Sequence, residues 1–255
     1  MNLKEIDNPL IQYLLHLGDN ALILGQRNSE WCGHGPILEQ DIALTNIALD
    51  QVGQARNFYQ YAASLISEIT GEPTTEDSLA YLRDSWDFKN CLMAELPNGD
   101  WGHTILKQFI AAAFQFHLYK ALESNSNEQL AGIAAKSSKE LSYHLRWSAD
   151  WVLRLGDGTE ESKKRMQEAI DIIWPYTNEW ICFEDYELAF LGDQQNDIKK
   201  NWEVKIAAVF LEAGLTIPSG IWMQQGGKKG IHSEHLGFIL SEMQFLQRAY
   251  PNSEW

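Results

Sequence analysis

The residues best suited to chemistry lie on one long predicted helix, residues 130–155. Apolar and small residues recur there at helical spacing, and His144 lies on the same stripe, one turn after Glu140. A carboxylate and an imidazole on one helix face can bind a metal ion inside a four-helix bundle. Di-metal bundles take a Glu from each of two helices and a Glu-x-x-His pair from each of the other two. Here the Glu–His spacing is four, and Leu141 stands where the ligand carboxylate would be.

The remaining ligands of such a site are only partly present. Asp19 on the first predicted helix and Asp50 on the second lie where carboxylate ligands would be expected. Gly53 stands where a histidine would complete a pair with Asp50, and the matching stretch of the third helix, residues 111–114, has no carboxylate. Asp19, Asp50 and His144 are therefore vestigial metal candidates that would hold two iron ions poorly. We expect His144 to be a buried histidine hydrogen-bonded to Asp19 or Asp50.

The spacing Asp/Glu-x-x-His occurs once in the sequence, at Asp100 and His103. Asp100 follows a Pro-Asn-Gly turn and is better explained as the N-cap of the third helix. No second copy of the pair exists, so the motif does not supply the missing ligands.

The second candidate is the glycine-rich stretch at residues 226–237, GGKKGIHSEHLG. Backbone N–H groups in a glycine loop, two lysines and a following helix start are the components of an anion site. Lys228, Lys229, His232 and His235 are the side chains that would contact a phosphate or a partner. The alternative is a solvated loop with a helix-capping motif.

The elements that must position these residues are all helical. Apolar periodicity and capping residues predict helices at about 9–27, 36–67, 100–124, 130–155, 159–174, 184–191, 197–215 and 232–249. No segment has the period-2 pattern of a strand. The sequence predicts one all-α domain over residues 1–255, with a four-helix core at about 9–155 and a helical extension at about 159–250.

Composition excludes several classes of function. The formal charge is −15, from 35 acidic and 20 basic residues, which disfavours nucleic acid and anionic membranes as partners. No apolar run approaches a membrane span, and the first ten residues do not resemble a signal peptide. Three cysteines without a Cys-x-x-Cys spacing indicate reduced thiols in a cytoplasmic protein. Ten tryptophans predict either a thick core or a partner surface.

Four stretches resemble the C-subunit family of ring-1,2-phenylacetyl-CoA epoxidases (PaaC). The first, at residues 17–58, begins LGDNALILGQRNSEWCGHG, and the last is GGKKGIHSEHLGFILSEMQFLQR at residues 226–248. ELPNGDW at residues 95–101 and KELSYHLRWS at residues 139–148 lie between them. The likeness covers nearly the whole chain.

The resemblance implies a ferritin-like protein of aerobic phenylacetate catabolism. In that family the di-iron site lies in the A subunit. The C subunit is its structurally similar, non-catalytic partner, alongside a B subunit and a reductase. We therefore expect no cofactor in this chain, a stabilising role toward the A subunit, and a contact with phenylacetyl-CoA or a partner near Lys228, Lys229, His232 and His235. The alternative is an autonomous metal-dependent oxidase with a rearranged site at Asp19, Asp50 and His144.

Overall fold

The computed structural model describes residues 6–251 and 253, and these residues form eleven α-helices and no strand. In chain order the helices are α1 (Pro9–Ser29), α2 (Leu38–Thr70), α3 (Glu76–Tyr81), α4 (Leu92–Glu95), α5 (Trp101–Leu122), α6 (Glu128–Gly156), α7 (Glu160–Ile173), α8 (Asp185–Leu191), α9 (Gln194–Glu212), α10 (Glu234–Met243) and α11 (Phe245–Ala249). The all-α prediction is confirmed for this part of the chain. The expectation about the start of the chain rests largely on residues 1–5, which lie outside it.

Polar side chains cap the starts of α1 and α5 where the sequence predicts them, whereas α2 starts after Ile37 without a side-chain cap. The Asn8 side chain accepts from the N–H groups of Leu10 and Ile11, and Pro9 occupies the first turn of α1. Asp100 caps α5 by accepting from the N–H of His103. These caps satisfy N–H groups that have no partner within the helix.

The four long helices α1, α2, α5 and α6 pack side by side, with α1 against α2, α5 against α6, and α2 against α6. Gly18 and Gly25 allow α1 to approach α2 closely. A Cβ on Gly18 would lie 2.6 Å from the Tyr59 ring, and one on Gly25 would lie 3.1 Å from Val52. The later residue of α1, Gly25, faces the earlier residue of α2, Val52, so the two helices run antiparallel.

The remaining helices cover the ends and one side of this core. Helices α7 and α9 pack on α5, and α8 packs on α1. The Trp202 indole stacks on Trp174 and donates to the Ile110 carbonyl at 3.1 Å, which attaches α9 to α5. Burying an aromatic side chain of this kind stabilises the fold by about 1.5–3 kcal/mol. No helix in the described part of the chain is long and apolar enough to cross a membrane.

The predicted last helix is divided into two. Ser233 is the N-cap of α10, so the helix starts at Glu234 and not at His232. It is interrupted at Gln244, whose buried amide donates to the carbonyls of Ala80 and Arg83 at 3.1 and 3.0 Å. Two tertiary hydrogen bonds fix the residue at which α10 ends and α11 begins.

Candidate functional site

Asp19, the first metal candidate, is fully buried on α1 and is bound by a guanidinium. Both carboxylate oxygens accept from Arg83, one also accepts from the Tyr59 hydroxyl at 2.5 Å, and the other from the Lys89 N–H at 2.7 Å. Burial by itself would lower the pKa of Arg83, but the charge of Asp19 outweighs it and raises that pKa. A metal ion at Asp19 would have to displace a buried cation that the carboxylate already neutralises.

Asp50 and His144 form a separate pair between α2 and α6. Asp50 Oδ2 lies 2.9 Å from His144 Nε2, while His144 Nδ1 is buried without a hydrogen-bond partner. The Asp50 side chain is 38% exposed and His144 is buried. Of the two carboxylates that the sequence offers to His144, the structure pairs it with Asp50.

The interior between α1, α2 and α5 contains amides that sequence reasoning missed. The Asn28 Nδ2 donates to Gln51 Oε1 and to Gln108 Oε1, both at 2.8 Å, and Gln51 Nε2 donates to Gln108 Oε1 at 3.1 Å. All three are buried. Neutral amides do not supply the carboxylate and imidazole ligands of a di-iron bundle. The sequence feature that could have revealed this amide cluster is Gln108, a glutamine within an otherwise apolar stripe of α5.

The donor set of this chain does not fit a di-iron centre. Within residues 6–251 and 253, no three His, Cys, Asp or Glu side chains come together as a group that could hold a metal ion. Asp19 hydrogen-bonds to Arg83 and Tyr59, whereas Asp50 and His144 bond to each other. The alternative of a rearranged site built from Asp19, Asp50 and His144 is not supported, because the three do not share one site.

The Lys228 side chain points into the protein. The interpretation that it contacts a phosphate or a partner therefore has to be corrected. Its ammonium lies 2.7 Å from Glu187 Oε2 and donates to the Cys182 carbonyl at 2.9 Å, and both charged side chains are buried. The other Glu187 oxygen lies 3.5 Å from His16 Nε2. Burial opposes ionisation of Glu187, but Lys228 and then His16 outweigh it and lower the pKa of Glu187 to about 2. Lys228 is therefore not available to a ligand at the surface.

The backbone of the same loop already binds an anion of the protein itself. Glu179 Oε1 accepts from the N–H groups of Gly226 and Lys228 at 2.9 and 3.3 Å, and Glu179 Oε2 accepts from the Leu92 N–H at 2.7 Å. A phosphate at this loop would use the N–H groups of Gly226 and Lys228. Glu179 binds them instead, and this contact, which we call the clasp, attaches residues 226–230 to the core.

His232 is also bound internally. Its Nδ1 lies 2.9 Å from Glu95 Oε2 and its Nε2 lies 2.9 Å from the Phe88 carbonyl, while the Ser233 N–H donates to Glu95 Oε1. Burial would lower the pKa of His232, but the hydrogen bond and charge of Glu95, with the Phe88 carbonyl, raise it above its ordinary value. Both ring nitrogens face acceptors, which favours the protonated imidazolium.

Only two of the four expected contact residues are accessible. Lys229 is exposed and lies 3.2 Å from Glu184 Oε1, and the half-buried His235 donates its backbone N–H to Ser233 Oγ. Lys228 and His232 are used within the fold. The structure does not place the Lys228 and His232 side chains where a phosphate or a partner at the surface could contact them. Burying a charged lysine is costly without compensation, and Glu187 compensates the charge of Lys228.

Most of the tryptophans in the described part of the chain are buried or half-buried against the core. Trp101 packs edge to face on Trp31, Trp147 and Trp151 at centroid distances of 5.3, 6.0 and 5.7 Å. Gln40 Oε1 accepts from the indole N–H groups of Trp147 and Trp151 at 3.0 and 2.7 Å, which joins α2 to α6. The tryptophan count therefore reflects a thick core more than a partner surface.

Exposed apolar side chains occur at several places in the described part of the chain, and one set of them lies along α2. Leu38, Ile42, Leu49 and Val52 share one face of the helix and are between 43% and 72% exposed. Gly53 lies beside them with open space where a Cβ would be. A contiguous aliphatic helix face of this kind is typical of a protein–protein contact. We call these four side chains the α2 stripe.

Fold and site define an all-α protein whose buried carboxylates bind its own cations and N–H groups. A family model described as "Phenylacetic acid catabolic protein" matches residues 1–255. The chain is also 44% identical over 252 residues to the C subunit of 1,2-phenylacetyl-CoA epoxidase from Escherichia coli (strain K12), an alignment that covers 97% of this chain and 100% of that protein. The chain therefore belongs to the phenylacetic acid catabolic protein family, and its resemblance to epoxidase C subunits is confirmed.

Proposed function

We propose that this chain is a structural, non-catalytic subunit of a multicomponent 1,2-phenylacetyl-CoA epoxidase that acts in aerobic phenylacetate degradation. Its role is to stabilise a catalytic A subunit that carries the di-iron centre, together with a B subunit. Support comes from the 44% identity to an epoxidase C subunit over nearly the whole chain. The proposed location of this subunit is the cytoplasm. Its cysteine pattern is typical of reduced thiols, and its net negative charge favours solubility.

The observation that carries the non-catalytic role is the Arg83–Asp19 ion pair. A guanidinium binds the one buried carboxylate that α1 offers to the bundle interior, and a separate buried cluster consists of the amides of Asn28, Gln51 and Gln108. Such a core stabilises a bundle but supplies no ligand set for iron. The partner must then provide the redox chemistry.

The proposed architecture is a single ferritin-like domain over residues 1–255. Helices α1, α2, α5 and α6 form its core at about 9–155, and the helices from α7 onward form the extension at about 159–250. This division is supported by the antiparallel packing of α1 on α2 and by the attachment of α7 and α9 to one side of α5.

The α2 stripe is the proposed contact with the A subunit. An obligate interface buries about 2,000 Å² or more and has an apolar centre, which a long aliphatic helix face supplies. The acidic surface of this chain disfavours a second copy of itself and favours a less acidic partner. Lys229 and His235 remain candidates for a contact with phenylacetyl-CoA or with a partner, since they are accessible.

Co-expression with the A subunit tests this proposal. Leu49→Asp places a charge at the centre of the α2 stripe, so size-exclusion chromatography should show the two chains eluting apart, while the circular dichroism of this chain stays unchanged. Leu211→Asp is the matched control, because Leu211 is 83% exposed on α9, away from α2. Wild-type chains that fail to co-elute at micromolar concentration would refute the partnership, and loss of the complex with both variants would refute the assignment of the surface.

Activity of the assembled complex tests the non-catalytic role separately. Asp50→Asn and His144→Gln remove the pair that most resembles a catalytic dyad, in which Asp50 is partly exposed and His144 is buried. Turnover of phenylacetyl-CoA per assembled complex should stay within about twofold of wild type. A hundredfold loss in an intact complex would show that this chain takes part in the reaction.

A further inference from the structure

A cleft of about 330 Å³ lies between the first half of α1 and the 3₁₀ turn Ser85–Asp87. Ile11 and Leu15, both buried, form its apolar floor, and the exposed Trp86 forms one wall. Lys89 and Lys229 line it as well. Its volume is at the lower end of the range for small-molecule sites, about 300–1,000 Å³.

Lys89 is held in place by its backbone. Its N–H donates to Asp19 Oδ2 at 2.7 Å, and its carbonyl lies 2.7 Å from His16 Nδ1, so two buried side chains fix the residue. The side chain is half-buried over the Tyr186 ring, at 5.3 Å from the ring centroid. Among the described residues no carboxylate lies within ion-pair distance of its ammonium, unlike those of Lys228 and Lys229.

The carboxylates of Asp19, Glu184 and Asp87 lie near enough to act on the Lys89 ammonium, and Asp87 also lines the cleft, but each of the three has a partner of its own. Glu184 lies 3.2 Å from the exposed Lys229 ammonium, and an Asp87 oxygen accepts from the Asp84 N–H at 3.4 Å. Asp7 is exposed at the rim. A half-buried ammonium without a counter-ion is costly, and an anion entering the cleft would relieve that cost.

We propose that this cleft binds a small amphipathic organic anion, with a carboxylate or phosphate group between Lys89 and Lys229 and an apolar body against Trp86, Ile11 and Leu15. The proposal concerns this chain alone and does not depend on its assembly with other subunits. An aromatic carboxylate has the required chemistry, and phenylacetate is the probe that the family of this chain suggests.

Isothermal titration calorimetry of the full chain tests the site. Phenylacetate should bind one per chain with a Kd of about 1 mM or tighter. 2-Phenylethanol has a similar body without the charge and should bind about tenfold more weakly, because the charge-assisted contact is lost. Inorganic phosphate carries the charge without the apolar body and should also bind about tenfold more weakly.

Three methionine variants locate the binding. Lys89→Met and Lys229→Met keep the aliphatic stem and remove the charge, and each should weaken phenylacetate binding about fivefold or more. Lys199→Met, on an exposed position of α9, is the matched control and should bind like wild type. Lys229 is exposed, so its variant keeps the test valid if Lys89→Met fails to fold.

An absence of phenylacetate binding would overturn the proposal, and so would equal affinity for phenylacetate and 2-phenylethanol. Phenylacetate affinity that Lys229→Met and a folded Lys89→Met leave unchanged would overturn it as well. Phosphate that binds as tightly as phenylacetate would refute the apolar part of the site.

Discussion

Four buried carboxylates of this chain each have a partner from a distant part of the sequence. Asp19 binds Arg83, Glu187 binds Lys228, and Glu95 binds His232, while Glu179 accepts backbone N–H groups; the distances for the last three carboxylates lie between 2.7 and 3.3 Å. An ionised carboxylate is tolerated in a protein interior only with such compensation. These pairs attach loops and short helices to the core of long helices. They therefore affect the stability of the fold and the positions of the attached segments.

Removing a single charge from the buried Glu187–Lys228 pair should strongly destabilise the fold. Lys228→Met leaves Glu187 buried without its cation, and the free energy of unfolding should fall by about 3–5 kcal/mol. Lys228→Met combined with Glu187→Leu removes both charges and should recover most of that loss. Urea unfolding followed by circular dichroism measures both. Lys229→Met, at an exposed pair, should stay within about 1 kcal/mol of wild type. A double variant as unstable as the single one would contradict this account.

His232 makes stability depend on pH. Because its pKa is raised in the folded state, its contribution is fully present below the unfolded-state value of about 6.5 and is lost as the pH rises through the folded-state value. The excess stability of wild type over His232→Gln should therefore shrink as the pH rises above about 6.5. Urea unfolding at a series of pH values measures it.

His34→Gln is the control for that experiment, since His34 is exposed and its side chain has no described hydrogen bond. Its stability should follow the pH dependence of wild type. A difference between wild type and His232→Gln that stays constant with pH would show that Glu95 and His232 interact without a change in protonation.

At the scale of elements, the clasp at residues 226–230 depends on a close backbone approach. A Cβ on Gly227 would lie 2.2 Å from the Asn90 carbonyl oxygen, which belongs to the backbone and cannot move away easily. Gly227→Ala should lower the free energy of unfolding by about 3 kcal/mol. Gly237→Ala is the matched control, because Gly237 lies within α10 with open space around it, and alanine should stabilise it by about 0.5–1 kcal/mol. Thermal unfolding that ranks the two variants in the opposite order would refute the clasp.

The sequence predicts the helices well, because their signals are local. Asn8 with Pro9, Asp100 and Thr159 mark helix starts within a few residues, and each acts as the expected cap. Apolar periodicity likewise predicts α6 to within two residues at its start and one at its end.

The buried partners could not be predicted, because they are brought together by the fold. Arg83 lies 64 residues from Asp19, and Lys228 lies 41 residues from Glu187. A lysine in a glycine-rich loop has the same local sequence whether it points outward or inward. The direction of Lys228 is decided by a carboxylate on α8, which no local pattern reveals.

At the scale of the whole molecule, interior and surface indicate different tasks. The interior binds its own charges and offers amides where a di-iron protein offers carboxylates. The chain has a formal charge of −15, and its described surface includes the aliphatic α2 stripe. This division agrees with the proposed role of binding a partner, and no group of metal ligands is found among the described residues.

The iron content of the purified chain tests whether this protein binds metal by itself. Purified alone after expression in iron-rich medium, the chain should contain well below one iron per chain and show no oxo-bridge absorption band, because Asp19 is bound by Arg83 and lies apart from Asp50 and His144. The complex with the A subunit should carry iron in proportion to that subunit. Asp50→Asn and His144→Gln should leave the iron content of the complex unchanged, since neither residue belongs to a metal group in the described chain. Two tightly held irons in the isolated chain, lost in either variant, would instead establish this chain as a metal-dependent oxidase.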